Sequence, residues 1–280
     1  REVCDEIKKN GESYYLISEE KRREMVKRSV AAITDIYQNS ILKDSSRNSF
    51  MIKRMEDLAD RTIWAMGEQL KCGDFVPFVF EHKFNMEVGD GDRKQLMSGT
   101  IDRVDICENG TDVYVRIIDY KTGKKDFNIV KTYYGIDIQL MVYMEAAMKL
   151  VAKMRPGKNV IPAGVFYYNI SDPIVSATTE SAEEIEDKIK GELRLKGMVN
   201  SDKDIVEKMD NTEGTSLNIP VSRKADGGFD SRRSKVMNTE QFNMLGRFVD
   251  VRAVDTADRI AGGDIRRSPY KDGQFSSCDR

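Results

Sequence analysis

A chain of 280 residues with 45 basic and 47 acidic side chains carries a formal charge of −2, which excludes a wholesale polycation and leaves room only for a local basic groove. Hydrophobic residues at 40% and charged residues at 33% give enough apolar mass for a sizeable core, yet no run approaches the roughly 20 uncharged apolar residues of a membrane span. No basic stretch followed by an apolar one opens the chain, so no secretory signal is visible and a soluble, cytoplasmic protein is expected. Arg1 in place of Met and Cys278 close to the end predict a segment of something longer.

Residues 19–42 repeat Met25, Val26, Ser29, Ile33, Ile36, Tyr37 and Leu42 at helical spacing, with Ser18 as N-cap and Glu19 and Glu20 in the first turn. A second helix is predicted over 48–70, carrying Met51, Met55, Leu58, Ile63, Trp64 and Met66 and ended by Gly73-Asp74. Residues 75–86 alternate as a strand that places Phe78, Phe80, His82 and Phe84 on one face, and 88–94 read as a turn. Two further strands, 95–107 and 112–120, are joined by the hairpin signal Glu108-Asn109-Gly110. A helix over 136–154 is stopped by Pro156-Gly157, and 160–170 reads as a strand whose apolar run suits a central position. After Asp172-Pro173 the chain is more polar: a helix near 181–196, a loop-rich stretch over 197–236 and a last helix over 239–261. This order predicts one α/β or α+β domain with a mixed sheet, its motif core at 75–170 and a polar helical and loop extension at 171–280.

Cys4, Cys72, Cys107 and Cys278 form no C-x-x-C pair, so spacing offers no self-contained zinc site, and reduced thiols are expected. The single histidine, His82, excludes any multi-histidine metal site and reads as an ordinary strand residue. Catalysis therefore has to rest on carboxylates and lysine. The segment that offers both is Gly99–Tyr143, containing G-T-I-D-R-V-D (99–105), I-I-D-Y-K-T-G (117–123) and Q-L-M-V-Y (139–143). In a strand Asp119 and Lys121 share a face while Tyr120 points away, and pairing about the hairpin can bring Asp102 near Asp119, in a register the sequence does not fix. Two converging carboxylates repel unless one is protonated or a cation lies between them, and Mg²⁺, hard and oxygen-liganded, is the natural occupant. The Tyr120 carbonyl is a candidate third ligand. Lys121 would orient and help deprotonate an attacking water or stabilise charge on a phosphate. Gln139 and Tyr143, at i and i+4, face the same way. Asp105, three residues from Asp102, falls on the opposite face and reads as a surface or ion-pair residue. A D-x-K strand by itself is commonly an exposed ion pair; the joint order of G-x-x-D, hairpin, D-x-K and Q-x-x-x-Y is what points to chemistry. Lys124, Lys125 and Lys131 follow directly and are candidate phosphate contacts, whereas Arg232, Arg233 and Lys235 read as a solvated basic run.

GTIDRVD, IIDYKTG and QLMVY resemble the core motifs of PD-(D/E)XK nucleases of the RecB type. FVPFVFEHKF (75–84), PAGVFYYNISDP (162–173), KGMVNSDKDIVEKMD (196–210) and AGGDIRRSPYKDG (261–273) resemble the C-terminal part of the AddB subunits of bacterial AddAB helicase-nucleases, in consistent order over nearly the whole chain. The resemblance implies an α/β fold with a mixed central sheet flanked by helices, filling 1–280 as a single nuclease domain. It implies Asp102 and Asp119 as metal-binding carboxylates, Lys121 as catalytic lysine, Gln139 and Tyr143 as the Q-x-x-x-Y helix, and Glu81 at the place of a further acidic residue. The implied activity is Mg²⁺- or Mn²⁺-dependent exonucleolytic hydrolysis of unwound single-stranded DNA in double-strand break repair, beside an AddA-like helicase-nuclease subunit. Two departures stand out. His82 does not match the family's G-x-x-x-H. Of the four cysteines that hold a 4Fe–4S cluster in AddB subunits, only Cys278 matches, in P-Y-K-x-x-x-x-x-x-C, so the cluster is not expected to assemble in this segment. A second expectation, from a different class, is a non-cleaving domain that guides DNA or anchors the partner helicase subunit.

Overall fold

The computed structural model describes residues 1–36, 45–89, 94–176, 181–266, 269, 271–272 and 275–276. The chain begins with three helices, α1 (Glu2–Lys9), α2 (Glu19–Ile36) and α3 (Ser46–Lys71). Ser18 Oγ accepts the Lys21 amide at 3.3 Å, and Ser45 Oγ caps α3 by accepting from Asn48, so both helices start at side-chain caps. Arg22 joins α2 to α3 through a two-pronged contact with Asp60, 2.7 and 3.2 Å. The expected apolar stripe of α2 is only partly used. Met25 and Val26 are buried against Val3 and Ile7 and Val30 packs on the same cluster, but Ile33 and Ile36 are exposed. Tyr37 and Leu42 of that stripe lie outside the described residues, as does Cys278.

The six-stranded sheet runs in the order β1 (Val76–Val88), β2 (Gln95–Asn109), β3 (Asp112–Lys121), β4 (Asn159–Asn169), β5 (Lys196–Asn200), β6 (Val236–Met237). The hairpin between β2 and β3 turns on Gly110-Thr111, Asn109 facing Asp112, and Gly110 takes φ +59°, a value only glycine adopts without strain. The predicted single face of β1 is not kept. Phe84 packs in the cluster under the long helix of the next paragraph, whereas Phe80 packs with Cys4, Met66 and Leu70 on the other side. The cause is local. Glu81 sits at φ +50°, the one non-glycine residue described with positive φ, and the pairing slips between Pro77 and Val79. In β2 the alternation also breaks, at Asp102-Arg103: Ile101 and Val104, three apart, pack in the same cluster.

After β3 the chain forms a short helix α4 (Ile129–Tyr133), then α5 (Gln139–Met154), and returns as β4 parallel to β3. Strands β3 and β4 are the central pair, as expected of the apolar run VIPAGVFYY. One face of the sheet packs on α5 and on α8 (Thr239–Ala261), with Ile117, Val165, Leu140, Val142 and Phe242 buried there. The other face packs on the C-terminal turns of α3 and on α7 (Lys203–Met209), with Ile118, Phe166, Leu195 and Val206. The stretch over 197–236 is less irregular than expected: it contains β5 and α7, and the preceding helix, α6 (Ala182–Glu192), stops before Lys196. Gly197 explains why sequence pattern misses β5. A Cβ there would lie 1.9 Å from the Val165 carbonyl oxygen, so the strand exists because glycine lets it close on β4, not because of its own β-propensity. A two-stranded ribbon, β7 (Lys271–Asp272) and β8 (Phe275–Ser276), stands apart. No helix among the described residues is long and apolar enough to cross a membrane.

Candidate active site

The sheet delivers two acids to one point. Strands β2 and β3 pair regularly from Asn109↔Asp112 to Arg103↔Ile118, and there the ladder ends. The next pair would be Asp102 and Asp119. In place of the ladder bond, the Asp102 carboxylate itself accepts the Tyr120 backbone amide, N–H to Oδ2 2.7 Å. The unzipping of two strands at a charged pair is what frees both carboxylates for another purpose.

Asp119 and Lys121 leave β3 on the α5 side, with Ile117, while Tyr120 points to the opposite face. Gln139, the first residue of α5, spans them. Its Oε1 accepts from Lys121 Nζ at 3.1 Å, and its Nε2 donates to Asp119 Oδ1 at 3.1 Å and to the Tyr143 hydroxyl at 2.9 Å. Tyr143 in turn stands edge-on to Phe84, ring centroids 5.7 Å apart. Its ring edge also lies over Gly99, where a Cβ would come within 3.2 Å of Cε1 and 3.0 Å of the Phe84 ring. The glycine of G-x-x-D therefore has a packing reason: it makes space for the tyrosine of Q-x-x-x-Y.

Asp119 is 2% exposed. Lys121 Nζ lies 2.6 Å from its Oδ2, an ion pair at the edge of the buried site. Burial raises the Asp119 pKa above the usual carboxylate range; Lys121 opposes the shift, and the charges of Asp102 and Asp137 add to it. A buried carboxylate whose charge is disfavoured by burial and by a second carboxylate beside it is the donor set a hard divalent cation satisfies, and Mg²⁺ needs only one or two carboxylates when water and phosphate complete its shell. Asp102 and Asp119 fit that demand. Glu81 does not join them: it is exposed, its left-handed backbone turns the strand, and no group of three or more acids, histidines or thiols that could hold a metal forms among the described residues.

Two residues that motif reading passed over belong to this cluster. Tyr167 of β4 lies directly across from Asp119 in the register and is fully buried. Its ring receives two ammonium groups, Lys121 Nζ at 5.6 Å and Lys125 Nζ at 5.5 Å. Its hydroxyl donates to Asp137 Oδ1 at 2.8 Å, and Asp137 Oδ2 binds Lys125 at 2.9 Å. Lys125 is thus committed within the protein, its backbone also clasped by Asn169, and is not a free phosphate contact as expected. Lys124 is exposed, and Lys131 is half-buried in the last turn of α4. The signal for Asp137 is its place two residues before Gln139; nothing in the sequence pairs Tyr167 with Asp119.

Beneath the site, on the other face, Asp105 is fully buried between Arg103 and Arg116, at 2.6–2.7 Å and 2.9 Å. It is an ion-pair residue, as its spacing suggested, but not a surface one. Arg103 also donates to the Tyr120 hydroxyl at 3.3 Å, so the residue between Asp119 and Lys121 is anchored from below. Cys4 and Cys107 are buried free thiols and Cys72 is half-buried; burial pushes all three thiols up.

The profile of the PD-(D/E)XK nuclease superfamily matches residues 12–280. The chain belongs to that superfamily. Its mixed, helix-flanked α/β sheet agrees with the nuclease fold. Among individual relatives, it is 36% identical over 250 residues to the B subunit of the ATP-dependent helicase/deoxyribonuclease of Clostridium botulinum strain Hall, a match covering 85% of this chain and 22% of that protein. The like-named protein of Thermoanaerobacter sp. strain X514 is 32% identical over 288 residues, 99% of this chain and 25% of the relative. That of Lachnoclostridium phytofermentans is 34% identical over 276 residues, 95% and 23%. The chain spans about a quarter of the length of the curated relatives it matches.

Proposed function

We propose that residues 1–280 act as one metal-dependent deoxyribonuclease domain, cutting phosphodiesters of unwound single-stranded DNA from an end. The setting is an AddAB-type helicase-nuclease in the cytoplasm, with an AddA-like subunit as partner. The observation that carries this reading is the convergence of Asp102, Asp119 and Lys121 where the β2–β3 ladder ends, held by Gln139. Asp102 and Asp119, with the Tyr120 carbonyl as a further oxygen, would hold Mg²⁺ or Mn²⁺. The ion would supply Lewis acidity to the phosphate and acidify water. Lys121, held beside Asp119 and over the Tyr167 ring, would place a positive charge against the charge that develops on the phosphate. Gln139 fixes both partners at once, so the lysine cannot swing away without breaking the Asp119 contact.

The reading is tested by calorimetric titration of Mn²⁺ into the chain, paired with degradation of labelled single-stranded DNA. One specific divalent site and metal-dependent degradation are expected. Absence of the site would favour the guiding or scaffold role, which needs no metal.

Tyr167 supplies a finer test. Tyr167→Phe keeps the ring under Lys121 and removes only the hydroxyl bond to Asp137. A loss of roughly 10–100-fold in kcat with KM unchanged is expected, the range for residues that orient a metal site from behind. Tyr167→Leu, which also removes the ring, should be lower still. Wild-type kcat in both variants would show that the ring and its hydroxyl position nothing.

A further inference from the structure

A cavity of about 800 Å³ opens just beyond the candidate active site. Its floor is made by the segments that follow β3 and β4, from Thr122 and from Asn169 onward. Helix α3 forms one wall and the α6–β5 junction the other. Four cations line it, Arg54, Lys124, Lys125 and Lys196, against three acids, Asp126, Asp172 and Glu192. Most of the acids are already spent. Lys235 holds Asp126 at 2.5 Å and Arg61 lies 3.5 Å from Asp172, while Lys125 is committed to Asp137. What remains facing the cavity is Arg54, Lys124 and Lys196, none with an ion-pair partner among the described residues, against Glu192 alone.

These three cations come from α3, from the loop after D-Y-K and from β5, so no sequence motif unites them; only the fold does. Unpaired cations gathered in one concavity raise the local concentration of a polyanion. The position points to which one, because the lining begins at Thr122, directly after Lys121, and includes Lys125, whose ammonium shares the Tyr167 ring with that of Lys121. We propose that it seats the phosphodiester backbone of the single strand flanking the scissile phosphate, with Arg54, Lys124 and Lys196 as phosphate contacts. This rests on the nuclease reading above. No aromatic side chain is among the described residues lining the cavity, and its apolar contribution is limited to Leu58 and Ile170. It therefore offers bases nothing to stack on, and binding there is independent of sequence and steeply dependent on salt.

The test measures binding of a labelled single-stranded oligonucleotide to the 280-residue chain by anisotropy, in EDTA so that nothing is cut, across a range of salt. The triple variant Arg54→Gln, Lys124→Gln, Lys196→Gln should lower the slope of log affinity against log salt by roughly 2, at about 0.7 per lost contact on a single strand. Lys224→Gln, an exposed lysine outside the cavity, should leave the slope unchanged. A triple variant with the wild-type slope overturns the proposal, as does a wild-type chain that binds no oligonucleotide. Thermal unfolding checks the fold; should the triple variant unfold, the exposed Lys124→Gln alone decides, with an expected drop of about 0.7. Cleavage in Mg²⁺ is scored separately. If the wild type cuts and the triple variant binds as it does, the cavity falls and the nuclease reading stands. If the wild type binds without cutting in any divalent metal, the nuclease reading falls and the salt slope alone judges the cavity.

Discussion

Asp119→Asn is expected to abolish metal-dependent DNA degradation while leaving the metal-free protein more stable than wild type. The rate should fall by at least roughly 10³-fold, since the change removes a charge from the centre of the electrostatic arrangement and leaves Lys121 without its counter-ion. The stability gain follows from the direction of the Asp119 pKa. The carboxyl is raised by burial, opposed by Lys121 and reinforced by Asp102. A carboxyl whose pKa is higher in the folded than in the unfolded state costs stability once pH has risen through that interval, because folding then buries a charge that prefers water. At neutral pH the neutral isostere removes this cost. Melting in EDTA and a single-turnover assay read the two effects separately. Lys121→Ala should lower the rate by roughly 10²–10⁴-fold, the usual contribution of a positioned proton-transfer group. Its melting temperature in EDTA at neutral pH should fall, since the buried Asp119 carboxylate loses the ammonium 2.6 Å away. A variant of either residue that cuts DNA at the wild-type rate would sink the catalytic assignment, and a lower melting temperature for Asp119→Asn would sink the account of its strain.

Asp105→Ala is expected to be the most destabilising single change in the molecule. It strands Arg103 and Arg116, 0% and 1% exposed, with no carboxylate between them. Breaking a buried pair by removing one partner costs about 3–5 kcal/mol, because the surviving charge stays in a medium that cannot solvate it. Arg116 has little reserve: its Nη2 already lacks a partner, and its guanidinium otherwise lies over the Phe75 ring at 4.8 Å. The same triad makes acid denaturation predictable. Burial works against the Asp105 charge, but the two guanidiniums outweigh it and hold the carboxyl below its ordinary value. A depressed carboxyl pKa contributes stability that is fully present above the unfolded value near 3.9 and is lost as pH falls through the folded one. Urea midpoints of the wild type should therefore drop below about pH 4, and the drop should be smaller in Asp105→Asn. Equal acid sensitivity in the two proteins would place the titrating group elsewhere. Because Arg103 also holds the Tyr120 hydroxyl, loosening this triad should disturb the strand segment that carries Asp119 and Lys121.

How far the sequence reached is clearest at the β2–β3 hairpin. The turn signal at Glu108-Asn109-Gly110 and the alternation on either side put Asp102 within reach of Asp119, while the register that sets the two acids opposite each other belongs to the folded hairpin. The bounds of α8 and the central place of β4 were equally legible, since helix caps and a long apolar run are local signals. Gln139 and Tyr143 were placed by helical periodicity alone. The departures have one character. Phe80 and Phe84 part faces because Glu81 takes a left-handed turn that alternation does not announce. Strand β5 forms because Gly197 can lie against the Val165 carbonyl, and a rule that marks glycine as a breaker reads it backwards.

What the chain determined by itself, then, is the local chemistry: which residues carry charge, at what spacing, on which side of a strand or helix. Those are consequences of backbone geometry over a few residues. Only the tertiary structure decided which charges are spent and which are free. Lys124 and Lys125 are adjacent in sequence, but Asp137 and Tyr167 claim the second and leave the first to the cavity. Asp105, legible as an ion-pair partner, became a buried counter-charge because Arg103 and Arg116 fall on the same face of neighbouring strands and α3 closes over that face. A near-neutral composition hides such differences, because pairing depends on distance and burial, and both are properties of the folded chain.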